Sequence, residues 1–400
     1  MNYIFISPNF PKSYKYFVKA LREKGVNVFG IGDEPFEALD EELKQCLNEY
    51  CYVSDMNRYD WMRNTVSYLR DKYGQIDYIE SNNEYWMIND AKLREEFGIS
   101  NGYRVNELIE YTSKSSMKKY FESAGARVSR YIIVSSLEES LNFAEKVGYP
   151  LFAKPNRGVG AAQTFKINNE EELKQFHNKE LNEEYILEEY IEGYIISFDG
   201  IANQNSDVVI AFNETFPTPI ATVVNEDTDV FYYARSKMDE SFRILGESIV
   251  KSFAIKSRCF HIEFFVLTKD KTGLAKKGEI LALEANLRSP GGNTSDMLNL
   301  VSKNGYYNMY AEMIMNQIGK VDDKTDKIAI SVNRKDKFNY IEDDENIYHF
   351  YGKNIVEQGS YPPLFKDAMG DKYYIASFTN LGYALLFEKF VHNKRWIKTK

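Results

Sequence analysis

Cys259-Phe260-His261-Ile262-Glu263-Phe264-Phe265-Val266-Leu267, followed by Glu279-Ile280-Leu281-Ala282-Leu283-Glu284-Ala285-Asn286, is the stretch whose reading decides this fold. Side chains alternate across a strand, so Cys259, His261, Glu263 and Phe265 share one face. The polar residues 268–278 between the runs read as a hairpin that reverses the chain. On the return strand Glu284 and Asn286 share a face, and Arg288 continues it or sits just past its end. Two antiparallel strands thus bring Glu263, Glu284 and Asn286 together. Two carboxylates and an amide oxygen are hard ligands that suit Mg²⁺ or Mn²⁺. In mostly apolar strands, two like charges are costly unless a cation or partner lies between them. A solvated sheet face or a lysine partner would also explain either glutamate alone. The joint pattern, running on into Arg288 and Pro290-Gly291-Gly292-Asn293, favours the metal.

Three upstream segments carry further chemistry. Lys154 ends a strand over 151–154 and precedes Pro155-Asn156-Arg157-Gly158-Val159-Gly160-Ala161-Ala162. Such a loop exposes backbone N–H groups that can lie on phosphate oxygens, and the lysine adds a point charge. The lysine comes before the glycines, unlike the GxxxxGK[ST] loop, and a plain hairpin turn would also explain them. Lys114 lies at a helix start, where free N–H groups favour an anion; a solvated surface lysine is the alternative. Glu188-Glu189-Tyr190-Ile191-Glu192-Gly193 ends one strand and precedes another over 195–201. A strand edge there can offer one N–H and one C=O to an adenine, or simply join the strands.

Outward from these segments the chain divides into four. Residues 1–111 alternate strands (near 3–6, 26–31, 50–53 and 77–80) with helices, one near 59–73 and another near 84–97, which implies a parallel sheet. The first strand–helix turn, Ser7-Pro8-Asn9-Phe10-Pro11, is not GxGxxG, so the unit is Rossmann-like without a dinucleotide fingerprint. Residues 112–192 form a second, mixed unit, and 193–320 a larger sheet with the densest polar pattern. Residues 321–400 read as a small β-rich C-terminal subdomain. No long Pro/Ser-rich linker separates the units.

The chain has 400 residues, 44% hydrophobic and 27% charged, the composition of a globular protein with several structural units. A net charge of −9 disfavours nucleic acid and anionic lipid as partners. Three cysteines without metal spacing fit a reduced, cytoplasmic setting, and four scattered histidines argue against a zinc site. The N-terminus reads as a strand rather than a signal peptide, and no apolar run approaches the roughly 20 residues of a membrane span.

In this order and spacing the segments resemble the ATP-grasp superfamily, most strongly over 112–293 and more faintly over 1–111. The resemblance is to carboxylate–amine ligases, including L-amino-acid ligases, and to biotin carboxylase and purine-pathway enzymes. Its most specific element is Glu263 on one strand and Glu284-x-Asn286-x-Arg288 on the next. Lys114, Lys154 with Gly158 and Gly160, and the hinge from Glu188 to Gly193 support it. The resemblance implies an α/β (α+β) ATP-grasp fold behind a Rossmann-like first domain. It implies ATP and Mg²⁺ or Mn²⁺ as cofactors, with Glu263, Glu284 and Asn286 on the metal. Lys114, Lys154, Gly158, Gly160 and Ala161 would face the phosphates, and Glu188, Glu189, Tyr190 and Ile191 the adenine. Arg288 and Lys154 would be catalytic, Arg288 holding a carboxylate or acyl phosphate. The implied partners are a small carboxylate and an amine, joined with release of ADP, in a chain whose relatives are often homodimers. A bicarbonate-dependent carboxylase, a non-catalytic nucleotide-binding protein and an NAD-dependent oxidoreductase are the rivals. One position departs from the family: Ile195 stands where an acidic residue often holds the ribose, leaving Glu192 or Asp199 as substitutes. Glu84, after the last strand of the first unit, is a candidate partner for a substrate ammonium.

Overall fold

The computed structural model describes residues 1–158 and 163–395. Three sheets organise it. The first is four-stranded and parallel, with Glu49–Tyr52, Asn27–Gly32, Asn2–Ile6 and Tyr78–Glu80 side by side in that order. Its central strand Asn2–Ile6 is nearly all apolar because helices cover both faces. Helix Lys15–Glu23 buries Phe17, Val18, Ala20 and Leu21 on the sheet and on helix Tyr306–Asn316. The Tyr3 and Tyr310 hydroxyls meet at 2.8 Å between the sheet and that helix.

The second sheet, also four-stranded, orders Tyr131–Ile133, Tyr185–Glu189, Leu151–Pro155 and Phe165–Ile167. Helices Leu137–Val147 and Glu170–His177 pack on it around Phe143, Leu173 and Phe176. Both begin with a side-chain cap: Ser136 accepts from the Glu139 amide, and Asn169 from that of Glu172.

The third sheet has eight strands and carries the rest of the molecule. Its order is Ile280–Asn286, Arg258–Leu267, Gly193–Ala202, Val208–Phe216, Val230–Arg235, Ile328–Arg334, Lys372–Phe378 and Ile355–Ser360. Helix Glu240–Ser252 lies close enough that a Cβ on Gly246 would come within 2.4 Å of the Phe198 ring. A larger residue there would lift the helix from the sheet. Residues 321–400 do not make a sheet of their own. Their three strands extend the large sheet by antiparallel pairing, Val230–Arg235 against Ile328–Arg334 and onward. Two helices, Asp344–Tyr351 and Leu381–Val391, then pack on this extension around Ile347, Phe387 and Val391. The first of these strands finds its partner elsewhere in the chain, a pairing about which local pattern carries no information.

A buried ionic cluster ties the first sheet to the third. Arg258 pairs with Glu80 and donates to the Leu287 carbonyl at 3.0 Å, while Arg94 lies 3.7 Å from the same Glu80 oxygen. All three side chains are fully enclosed. The cluster therefore fixes the strand end that leads into Arg288.

Candidate active site

The hairpin read from the sequence is present. Strands Arg258–Leu267 and Ile280–Asn286 pair antiparallel, with Glu263 opposite Glu284 and His261 opposite Asn286. The register shifts just beyond Glu263, so that Leu283 is passed over and Phe264 meets Ala282. Such a bulge re-aims side chains locally. Glu263, Glu284 and Asn286 all line one cavity of about 430 Å³ between the second and third sheets.

The same cavity collects the other expected residues. Lys114, Lys154, Glu188, Glu189, Tyr190, Ile191 and Arg288 line it, and Ile195 does too. Lys114, at the first position of helix Lys114–Ser123, reaches Glu284 at 3.2 Å and the Gly158 carbonyl at 2.8 Å. Gly158 begins the approach to the small-residue loop with a left-handed φ of 106°. Gly160 and Ala161 lie outside the described residues.

Lys154 is buried and pairs with Glu188 at 2.7 Å. Lys118, one turn after Lys114, approaches the other Glu188 oxygen at 2.5 Å, and the Ser129 hydroxyl donates to it at 3.0 Å. Burial alone would raise the Glu188 pKa, but the two ammonium groups outweigh it and hold the carboxyl down at about 2. Burial likewise opposes the charge on Lys154, and Glu188 and Glu284 reverse the effect, raising its pKa. Glu189 turns away from this pair. Arg130 holds both of its oxygens, at 2.9 and 2.6 Å. The hinge glutamates are thus braces whose side chains are engaged. At Tyr190 the amide donates to Pro150 O at 3.2 Å and the carbonyl accepts from Lys271 at 3.2 Å.

A second row lies on the sheet floor. His261 faces Asp199 through Nδ1 at 2.5 Å and Glu263 through Nε2 at 3.1 Å. The Ser197 hydroxyl donates to the other Asp199 oxygen at 2.5 Å. Burial disfavours charge on His261, yet Asp199 and then Glu263 raise its pKa well above the usual imidazole range. Burial would raise the Glu263 pKa, and contact with His261 instead lowers it. Asp199, Glu214 and His261 bring ligand atoms within 4.8 Å of one another. Both nitrogens of the ring are already engaged, so His261 and Asp199 form a hydrogen-bonded support beneath Glu263, with Glu214 beside them.

Neither substitute for the ribose acid is placed for that role. Glu192 pairs with exposed Lys269 at 2.6 Å, outside the cavity lining. Asp199 is fully buried and committed to Ser197 and His261. Glu84, expected to meet an ammonium, instead meets Arg288 at 3.2 Å.

Sequence reasoning missed Lys118, Ser129, Glu214 and the wall formed by Phe365, Ala368 and Met369. Lys118 had a signal, because residues four apart share a helix face and Lys114 was already on the page. The wall had none; it reaches the cavity only because the C-terminal strands join the large sheet.

The chain resembles known proteins in sequence and in fold. Residues 113–249 match the ATP-grasp domain family. The chain is 24% identical over 236 residues to the L-arginine-specific L-amino acid ligase of Bacillus subtilis, covering 57% of this chain and 55% of that one. It thus spans about half the length of that curated relative. The L-amino acid ligase from Bacillus licheniformis superposes with a TM-score of 0.71 at 13% identity, over 98% of this chain and 96% of that one. The biotin carboxylase domain of the 2-oxoglutarate carboxylase from Hydrogenobacter thermophilus, solved with MgADP and bicarbonate, gives 0.69 at 16% identity, over 97% and 89%. Among the described residues no helix is long and apolar enough to cross a membrane.

Proposed function

We propose that the chain, whose residues 113–249 match the ATP-grasp domain family, is an ATP-dependent ligase that joins a small carboxylate to an amine. The observation that carries this reading is one cavity lined together by Glu263, Glu284, Asn286, Lys114, Lys154 and Arg288. The donor set fits a hard divalent cation: two carboxylates face each other across a strand pair, with an amide one step along. Mg²⁺ held there would neutralise phosphate charge during transfer.

The protein's own groups do the rest. Lys114 and Lys154 face the phosphates, and Glu188 keeps the Lys154 ammonium charged and aimed. The hinge backbone from Glu188 to Ile191 lies along the adenine. Arg288 orients the substrate carboxylate with its planar fork. A carboxylate oxygen attacks the γ-phosphorus, the bond from that phosphorus to the bridging oxygen breaks, and ADP leaves. The amine nitrogen then attacks the acyl carbon, inorganic phosphate departs with the former carboxylate oxygen, and the nitrogen loses a proton. Water must be kept from the acyl phosphate, and the cavity between two sheets serves that end. The units 1–111, 112–192, 193–320 and 321–400 follow this division, with nucleotide between the second and third. A cytoplasmic location and a homodimer complete the reading.

The test is a phosphate-release screen with pairs of amino acids and small carboxylates. Release that depends on both a carboxylate and an amine is expected. Release that depends on bicarbonate instead would reassign the chain as a carboxylase.

A further inference from the structure

We propose that the carboxylate substrate carries an apolar side chain, seated against Phe216, Ile220, Tyr232, Phe365 and Met369. This rests on the ligase reading and specifies what that site accepts.

The sheet floor changes character along its rows. At the hairpin it presents Glu284 and Glu263; two strands further on, opposite Ser197, it presents Glu214. The next residue on that face, Phe216, stacks on Tyr232 with ring centroids 4.6 Å apart. Helix Ile220–Glu226 adds Ile220 and Thr222 to the lining. The segment 363–369 packs against that helix and adds Phe365, Ala368 and Met369. Gly292, four residues past Arg288, closes the same end: a Cβ there would lie 3.1 Å from Met369 Cε and 3.2 Å from the Tyr232 hydroxyl. A carboxylate held on Arg288 therefore has its substituent facing an apolar wall.

A charged substituent would find poor compensation. Of the carboxylates lining the cavity, Glu214 stands on this stretch of the floor, and it is fully buried. One of its oxygens accepts from Thr294 at 2.8 Å, and the other has no hydrogen-bond partner. Burial and the neighbouring Asp199 push its carboxyl well above the usual range, toward the neutral form. Burying a charged side chain there is unfavourable, whereas each buried methylene favours binding.

Hydroxylamine can trap the acyl phosphate whatever the natural amine is. The full-length chain is given MgATP, hydroxylamine and one amino acid at a time, and hydroxamate is measured. Leucine, methionine and phenylalanine are expected to exceed aspartate, glutamate, lysine and arginine in kcat/KM by at least about tenfold. Preference for an acidic or basic member would overturn the proposal while leaving the ligase reading intact; a basic winner would make Glu214 its partner. No hydroxamate from any member, with ATP bound, would overturn both. Met369→Glu is expected to lower kcat/KM for the best apolar substrate about tenfold with KM for ATP within about twofold. An unchanged preference in that variant would also overturn it.

Discussion

Arg288 and Glu84, 204 residues apart in the chain, meet with the guanidinium Nε donating to the carboxylate at 3.2 Å. Nη2 lies at 3.2 Å from the same oxygen, and Nη1 donates to Ser289 O at 2.9 Å. The first domain thereby reaches into the site to aim the residue assigned to the substrate carboxylate. Burial raises the Glu84 pKa, and Arg288 partly offsets it.

Replacing Arg288 by lysine keeps the charge and loses the planar fork. Arg288→Lys is expected to raise KM for the carboxylate by about tenfold or more, with KM for ATP changed by less than about threefold. Steady-state kinetics with each substrate varied in turn would check this. Equal effects on both would remove Arg288 from its assigned role.

Glu284 faces Glu263 across the hairpin and touches Lys114. Glu284→Ala is expected to abolish ATP turnover with the circular dichroism spectrum and melting temperature nearly unchanged. Near-normal ADP release from the variant would sink the metal assignment.

His261 links Asp199 to Glu263, one of the proposed metal ligands, and lines the cavity beside it. Groups that orient a metal ligand commonly contribute 10–100-fold in metal affinity, a range of about 1.4–2.8 kcal/mol. His261→Asn is expected to weaken Mn²⁺ binding in the presence of ADP by that order, read by titration calorimetry without turnover. Unchanged Mn²⁺ affinity would reduce the histidine to packing.

Glu188 carries two buried ammonium groups, Lys118 and Lys154. Glu188→Gln leaves both without a counter-charge and is expected to destabilise the fold by about 3–5 kcal/mol in chemical denaturation. The pH dependence has a definite sign. The folded-state pKa of Glu188, about 2, lies below the ordinary glutamate value of 4.5, so its contribution is present above pH 4.5 and lost as pH falls toward 2. The difference in stability between wild type and variant should shrink across that window. A difference that stays constant would contradict the coupling.

The hairpin and the meeting of Glu263, Glu284 and Asn286 on it were legible because alternation places side chains without any knowledge of partners. Lys114 and Lys154 were legible as cations near backbone N–H groups, yet their present partners Glu284 and Glu188 were not. Pairing across 34 or 170 residues is set by how the sheets close, not by local pattern. The hinge glutamates show the limit in another way. Their position was read, but Glu189 proved to be tied to Arg130, a residue with no motif around it. Glu192 and Asp199 were both plausible by spacing; burial of one and outward pairing of the other removed them. Residues 321–400 read as a β-rich subdomain, and the joining of their strands to the large sheet is a tertiary fact that local pattern does not carry.

That tail carries a consequence for how the protein can change. The groups assigned to nucleotide and metal lie between Lys114 and Asn286, while Phe365, Ala368 and Met369 arrive from a stretch joined to the large sheet by later strands. Part of the wall proposed to select the acid is therefore written apart from the groups proposed to activate it. Exchange of residues 363–369 could retune which acid is chosen without disturbing the machinery that energises it.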